Sequence, residues 1–315
     1  MKILVTGGNG LVGSAIKELS LSYTENKYMF ISSKDCNLKN FNETKLFFEK
    51  ELPDYVIHLA ACVGGLYKNM SDKVEMFEDN LLINTNVIKC CHLFKVKKLI
   101  SCLSTCIFPD NVKYPINEKM LHSGKPHNSN DAYAYAKRML DVHSKIYREQ
   151  HNSNFICIIP TNVYGEHDNF SLENGHVIPA LIHRCYINKK NKEPFTIKGT
   201  GKPLRQFIYS KDLARLILWS LFNYKKKENI IFSPKKEISI KEIGIKIAEV
   251  FNYKDNIIFD CSYSDGQYKK TVDNKYLLDE LENSGENNFE FTAIDKGIKS
   301  TVEWFISNYN NCRKL

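Results

Sequence analysis

An apolar run at Met1 to Val5 leads straight into Thr6-Gly7-Gly8-Asn9-Gly10-Leu11-Val12-Gly13, and an amphipathic stretch follows to about Ser22. Few features restrict a fold as tightly. A strand that ends in clustered glycines and reopens as a helix is the first half of a dinucleotide-binding βαβ unit. Gly8 is expected to permit the tight turn, Gly10 to let backbone approach a pyrophosphate, and Gly13 to let the helix pack on the strand. The helix N-terminus then offers free N–H groups and a partial positive charge to the anion. A glycine triplet alone is often a plain turn. Its place between an apolar strand and an amphipathic helix selects the dinucleotide site.

Strand and helix signals alternate from there on, as a doubly wound parallel sheet requires. Strands are expected at Tyr28–Ser32, Tyr55–Leu59, Lys98–Leu103 and Phe155–Ile159, with helices at Asn42–Glu51, Lys73–Phe94 and Asp131–His151. Beyond Pro160 the regularity fades into loops rich in Asn, Gly and Pro, with helices near Ile240–Phe251 and Asp295–Asn308. The chain therefore reads as an α/β protein, a Rossmann-like doubly wound parallel sheet with a smaller, mostly C-terminal α/β substrate lobe. Residues 1–165 are expected to form the NADP-binding Rossmann domain, with 200–220 returning to it. The stretches 166–199 and 221–315 are expected to form the lobe.

A chain of 315 residues can bury a large core, and 43% hydrophobic with 12% aromatic content is ordinary for a soluble protein. The net charge of +8 suits anionic ligands, yet the lysines are scattered rather than gathered in one stripe, so nucleic acid is not expected as a partner. No apolar run reaches the ~18 residues of a membrane span. No basic-apolar-small leader pattern opens the sequence, so a cytoplasmic location and no membrane partner are expected. The ten cysteines contain no Cys-x-x-Cys and read as free thiols, with no metal site.

Ligands of open α/β sheets bind at the carboxyl ends of the strands. After the second strand stands Ser32-Ser33-Lys34, two hydroxyls and a cation where an NAD enzyme usually places a carboxylate. Ser33 and Lys34 therefore point to a 2′-phosphate and NADP(H), tempered by Asp35 next to them. Tyr133 and Lys137 in Tyr133-Ala134-Tyr135-Ala136-Lys137 are one helical turn apart and share a face. A phenol titrates near ~10; a cation one turn away is expected to stabilise phenolate and bring the group towards the working range. Ser104, at the end of the fourth strand in Ser104-Thr105-Cys106-Ile107-Phe108-Pro109, can polarise a substrate carbonyl beside the tyrosine. Its plainer role is to cap a turn.

With these residues in place, the chain resembles the extended short-chain dehydrogenase/reductase family. Gly7, Gly10 and Gly13 meet its Gly-x-x-Gly-x-x-Gly, and Tyr133 and Lys137 its Tyr-x-x-x-Lys. Further segments narrow the likeness: Ser104 to Pro109, His127-Asn128-Ser129-Asn130, Pro160-Thr161-Asn162-Val163-Tyr164-Gly165, His167-Asp168-Asn169-Phe170, Gly175-His176-Val177-Ile178-Pro179-Ala180 and Asp265-Gly266-Gln267. They resemble the subgroup that converts GDP-4-keto-6-deoxy-D-mannose to GDP-L-fucose with NADPH, by epimerisation at C3 and C5 and then reduction at C4. The resemblance runs from Lys2 to about Trp304.

What it implies agrees with the chemistry. Hydrogens on C3 and C5 flank the ketone and are acidic through enolate formation, so inversion needs a base on one face and an acid on the other. Cys106 fits the base, as a thiolate formed near a cation or cofactor, and His176 the acid. The resemblance places Gly7, Gly8, Asn9, Gly10, Leu11, Val12, Gly13, Ser33 and Lys34 along the cofactor, followed by Leu59, Ala60, Ala61, Tyr133, Lys137, Pro160, Thr161, Asn162, Val163 and His176. It places Arg184, Arg205 and Asp265 on the GDP-sugar, with Lys270 as a weaker candidate; cations there suit a diphosphate. The glycines around Arg205, in Gly199-Thr200-Gly201, are expected to let backbone approach a ligand. One position departs from the family pattern: Lys198 stands where the family has tryptophan, so a stacking contact to the nucleotide is lost or replaced by a charge. His58 is read as structural. The apolar residues Leu81, Leu82, Ile83 and Val87 on the Lys73–Phe94 helix permit the homodimer that the family forms.

Two other classes share part of this pattern. A nucleotide-sugar 4-epimerase or dehydratase has the same cradle, tyrosine and lysine, but a dehydratase typically has Asp-Glu after the strand-end threonine, where this chain has Cys106-Ile107. A non-catalytic NADP-sensing protein usually loses the tyrosine or the lysine, and both are present.

Overall fold

Ile3 and Val5 of the first strand point into one apolar cluster and Leu4 into another, so both faces of the sheet have to be covered. The computed structural model describes residues 1–263, 265 and 267–314; Gly266 of the Asp265-Gly266-Gln267 segment lies outside them. The described strands are β1 Lys2–Thr6, β2 Lys27–Ile31, β3 Tyr55–His58, β4 Lys98–Cys102, β5 Phe155–Pro160, β6 Asn162–Tyr164, β7 Phe195–Lys198, β8 Leu204–Arg205, β9 Phe207–Tyr209, β10 Ile230–Phe232, β11 Ile238–Ser239 and β12 Ile257–Asp260. The helices are α1 Leu11–Ser20, α2 Phe41–Glu51, α3 Leu66–Ser71, α4 Lys73–Leu93, α5 Asp131–His151, α6 Val177–Asn191, α7 Ser210–Phe222, α8 Ile240–Val250, α9 Lys275–Asn283 and α10 Ile294–Ser307.

Six strands form the central sheet in the order β2-β1-β3-β4-β5-β10, and every neighbouring pair is parallel. All carboxyl ends therefore open on one edge, and the winding reverses between β1 and β3, where such folds bind their ligands. Ile16, Leu213, Ile217, Leu277 and Leu281, from α1, α7 and α9, cover the face carrying Ile57, Ile100 and Ile158. Phe48, Val87, Cys91 and Leu140, from α2, α4 and α5, cover the face carrying Val56, Leu99 and Cys157.

A third cluster makes the lobe. It joins Ile178, Leu181 and Ile182 of α6 to Phe195 and Ile197 of β7, Ile243 and Ile247 of α8, and Ile298, Val302 and Phe305 of α10. Phe305 is fully buried, and burial of a side chain this size stabilises by about 1.5–3 kcal/mol. Helix α8 starts at a capping box, with Ser239 and Glu242 each satisfying the other's backbone N–H. The parallel pair β6 and β9 links the lobe to the sheet edge.

The first five expected strands and the helices at 41–51, 73–93 and 131–151 fall within a residue or so of their expected positions, and α7 packs on the sheet. The stretch 221–315 is more divided than expected. Its β10 pairs with β5, and α9 packs beside it in the sheet core. Ile230-Ile231-Phe232 is too short an apolar run to announce a strand; the fully buried β5 supplies the reason for it by needing a partner on its outer side. Helix α6 also carried no clear signal.

Candidate active site

The cradle begins where β1 ends. Gly7 takes the left-handed conformation, φ 69°, and a Cβ there would lie 2.9 Å from the Ala60 nitrogen. The turn role expected of Gly8 thus belongs to Gly7. Gly8 presses instead on β2, where a Cβ would sit 2.7 Å from Phe30 Cβ. At Gly13 a Cβ would meet the Gly7 carbonyl oxygen at 2.5 Å, so the close packing of α1 on the turn demands glycine, as expected. Gly10 caps α1 with no side chain closing its first turn. The first N–H groups of a helix have no intrahelical partner, and with no side chain capping them here this helix start suits an anion.

Thr6 locks the neighbouring strand end. Its Oγ1 accepts from the N–H of Leu59 at 3.2 Å and of Ala60 at 3.1 Å, and pairs with His58 Nδ1 at 2.8 Å. With both lone pairs used, the hydroxyl donates to Nδ1, which leaves Nε2–H to donate to Asn84 Oδ1 at 3.0 Å. Burial, reinforced by the Lys137 charge, pushes His58 down to about 3. It is a neutral structural residue.

At the end of β2, Asp35 Oδ2 accepts from both the N–H and the Oγ of Ser32 at 2.8 Å. These bonds hold its carboxyl below the usual carboxylate range. The carboxylate closes its own turn, while Ser33 and Lys34 stay exposed beside it.

Two clefts meet at the carboxyl edge of the sheet. One, about 180 Å³, runs along Cys102, Leu103, Pro160 and Thr161. The other, about 440 Å³, extends into the lobe past Cys106, Arg184, Arg205 and Lys270. Ser104, Tyr133, Asn162, Val163 and His176 line both. Helix α5 presents Tyr133 and Lys137 on one face, and Lys137 Nζ donates to the Cys102 carbonyl at 2.8 Å while standing 5.8 Å from the Tyr133 ring centre. The expectation that Lys137 brings the phenol down is not met: burial raises Tyr133 well above its ordinary value, and the nearby Cys106 adds to this. Burial is the dominant cause, and the ammonium is turned to a carbonyl rather than to the phenol. Lys137 itself is pulled down by burial.

Ser104 caps the turn Thr105–Ile107 by accepting from Cys106 N–H at 3.4 Å, and it lies where the two clefts meet. Cys106 is buried in the cleft wall. Burial raises its thiol, with Lys270, Ser104 and Lys137 each pulling it back. A preformed thiolate was expected; desolvation outweighs the nearby cations.

His176 comes from the opposite side, as the residue before α6. Gly175 must be glycine, because a Cβ would lie 2.5 Å from the Ser171 oxygen and 2.6 Å from the Asn169 oxygen. The buried Asp168 is raised by desolvation and drawn back by the His176 charge. Its Oδ2 has no hydrogen-bond partner among the described residues.

The expected substrate residues all line the larger cleft, Arg184, Lys198, Arg205, Asp265 and Lys270 together. Two are more occupied than their charges suggest. Arg205 donates to the carbonyls of Gln267 at 2.6 Å and Leu204 at 2.7 Å. Asp265 receives Thr200 N–H at 2.9 Å and Thr200 Oγ1 at 2.6 Å. The glycines nearby make room for protein rather than for a ligand: a Cβ at Gly199 would meet Asp265 Oδ1 at 2.4 Å, and one at Gly201 would meet Phe259 Cε1 at 2.6 Å. Lys198 lies 4.4 Å from the ring centre of Tyr263, which shares the cleft wall. An aromatic face is therefore present here after all, from a different segment.

Sequence reasoning missed Tyr263 and Asn69. Asn69 lines both clefts and ties the carbonyls of Gly64 and Gly65 at 2.7 and 2.9 Å, with its Oδ1 buried and unpartnered among the described residues. Neither belongs to a spacing pattern that would mark it. All ten cysteines are free, and no cluster of His, Cys, Asp or Glu among the described residues is placed to hold a metal. No described helix is long and apolar enough to cross a membrane.

The sequence pattern of the NAD dependent epimerase/dehydratase family matches residues 3–233. The chain is 50% identical over 319 residues to the GDP-L-fucose synthase of Dictyostelium discoideum, covering 99% of this chain and 97% of that protein. It is 43% identical to the probable GDP-L-fucose synthase of Drosophila melanogaster, covering 99% of both. The crystal structure of a GDP-L-fucose synthetase from Naegleria fowleri bound to NADP superposes with a TM-score of 0.93 at 47% identity, covering 99% of this chain and 95% of that one.

Proposed function

This chain belongs to the NAD dependent epimerase/dehydratase family, and on that premise we propose that it converts GDP-4-keto-6-deoxy-D-mannose to GDP-L-fucose with NADPH. It is an oxidoreductase and an epimerase at one ketone. The observation that carries the reading is the meeting of two clefts at Ser104, Tyr133 and His176, with Cys106 in the wall of the larger one.

The cradle fits a dinucleotide: Gly7, Gly8 and Gly13 leave no room for side chains, and the open start of α1 suits a pyrophosphate. Ser33 and Lys34 suit a 2′-phosphate, since Asp35 is spent on its own turn. When bound, NADPH supplies the hydride for C4. The protein supplies the rest. Cys106, from the sheet side, takes the proton from C3 and His176, from the lobe side, gives one to the opposite face; once the thiol has lost its proton to solvent and the imidazole has regained one, the same exchange inverts C5. Ser104 donates to the C4 oxygen, which carries the enolate charge during each inversion. Tyr133 then protonates that oxygen as C4 is reduced. The buried phenol holds its proton at neutral pH and is available as the donor. Arg184, Arg205 and Lys270 face the diphosphate, and Tyr263 with Lys198 offers the nucleotide an aromatic surface in place of the family tryptophan.

The reading includes a homodimer through α4 and α5, which leave Val74, Leu82, Tyr135, Met139 and Ile146 exposed. Light scattering is expected to give twice the chain mass. To test the activity, purified protein is offered GDP-4-keto-6-deoxy-D-mannose, GDP-mannose or UDP-glucose, and the NADPH absorbance is followed. Loss with the first alone is expected. No loss with it, or turnover of UDP-glucose, contradicts the proposal.

A further inference from the structure

We infer that Asn69 is a positioning residue for His176: it clamps the end of a backbone strap that leaves β3, runs along both clefts and holds the main chain two residues before the imidazole. The inference rests on the proposed reaction for what His176 does, but the strap itself is a property of the resting protein.

The strap is residues 59–65, a stretch with no helix or strand of its own, and side chains fix it at three points. Thr6 Oγ1 holds its start through the N–H groups of Leu59 and Ala60. Asn80 of α4 grips its middle twice, accepting from Cys62 N–H at 3.0 Å and donating to the Cys62 carbonyl at 2.9 Å. Asn69 of α3 closes the end, where Nδ2 donates to the carbonyls of Gly64 at 2.7 Å and Gly65 at 2.9 Å. With those two carbonyls held, Gly65 N–H reaches across to the lobe and donates to the Asn174 carbonyl at 3.0 Å. Val63 and Gly64 line the smaller cleft, and Gly64 and Gly65 the larger.

From Asn174 the chain has only Gly175 to cross before His176. Asn174 N–H donates to Ser171 Oγ at 3.1 Å and Gly175 N–H to the Ser171 carbonyl at 3.1 Å, so the turn that carries the acid is compact. The His176 side chain makes no capping bond at the start of α6; the backbone beneath it therefore sets where the ring lies. The Asn69 amide has one usable orientation here, because turning it over would set an oxygen against two carbonyl oxygens. That orientation leaves Oδ1 buried and unpartnered among the described residues, which is unfavourable for stability. A side chain kept in that state for its two donations matters for the geometry it imposes. The acid thus takes its place relative to the cofactor side of the sheet through the strap as well as from the lobe.

Two variants loosen the junction from different sides. Asn69→Ala removes both donations, and Gly65→Ala brings a Cβ to 3.1 Å from the Asn174 carbonyl oxygen at a φ of −64° that alanine accepts. Each is first shown to bind NADPH as wild type does. Amide hydrogen exchange, read by mass spectrometry, should quicken about tenfold in the peptides holding Gly65 and Gly175 of Asn69→Ala. With GDP-4-keto-6-deoxy-D-mannose and NADPH, NMR then resolves the product into GDP-L-fucose and sugar reduced with C3 or C5 still in its starting configuration. Asn69→Ala is expected to raise the share of the second at least about tenfold, with the KM for the ketosugar within about threefold of wild type. Gly65→Ala should move the ratio the same way by less. General loosening would slow both products alike, so a wild-type ratio in Asn69→Ala overturns the inference, as does unchanged exchange at Gly65. Wild-type protein that leaves the ketosugar unconverted would sink the proposed reaction, and the exchange rates would still decide the strap.

Discussion

The proposed reducing and epimerising sides of this cleft are built by opposite means. Tyr133 and Lys137 sit one turn apart on a single helix packed on the sheet, and Lys137 is pinned to a strand-end carbonyl. Cys106 and His176 come from remote segments, one after β4 and one before α6. The chemistry explains the contrast. A proton donor for one oxygen needs a single fixed direction, which one helix can provide. Inversion needs groups on opposite faces of a sugar, and opposite faces require walls from different parts of the fold.

If that contrast holds, damage to one side leaves the other working. The largest expected effect is Tyr133→Phe, which should lower NADPH oxidation by about 10³-fold, with proton exchange at C3 and C5 kept. Loss of exchange as well, measured by NMR, would show that the halves are not separable. Next is Gly13→Ala, which forces a Cβ to within 2.5 Å of the Gly7 oxygen. Overpacking of this kind costs about 1–3 kcal/mol, so NADPH titration should show affinity about 5- to 150-fold weaker, with thiol reactivity at Cys106 unchanged.

A pH series sharpens the comparison. The Cys106 thiol and the Tyr133 phenol are both raised by burial, but one acts deprotonated and the other protonated. Exchange should therefore climb from neutral to alkaline pH, approaching tenfold per unit while the thiol remains mostly protonated, whereas single-turnover reduction should not fall over the same range. Exchange that is flat in pH would argue against a thiol base. The last effect is on stability. His58 is neutral when folded, at about 3 against 6.5 unfolded, so the unfolded chain alone binds that proton as pH drops. Stability is complete above about 6.5 and is lost progressively as pH falls from there towards 3, by up to about 1.4 kcal/mol per unit. His58→Gln should flatten that slope in urea melts.

Local spacing made the cradle and the tyrosine–lysine pair legible, because both lie within one strand–turn–helix or one helical turn. The sheet followed from alternation, to within a residue or so for its first five strands. What escaped depends on neighbours that are distant in sequence. Gly7, not Gly8, turns left-handed, and Ala60 packs against it closely enough to exclude a side chain. Arg205 and Asp265 carry charges that suggest a ligand, yet the fold spends much of their hydrogen bonding on Gln267 and Thr200. The expected drops in the pKa values of Tyr133 and Cys106 failed for one reason: depth in a cleft outweighs a nearby cation, and spacing does not report depth. The short strand β10 became legible only once β5 was seen to be buried on all sides.

Solvent deuterium decides most directly whether one ketone is served by two separable sets of groups. In D2O with GDP-4-keto-6-deoxy-D-mannose, Tyr133→Phe should place deuterium at C3 and C5 without reduction, while Cys106→Ser should slow that incorporation by about 10²-fold. Incorporation at the wild-type rate in Cys106→Ser would contradict the assignment of the base, and with it the division of the cleft.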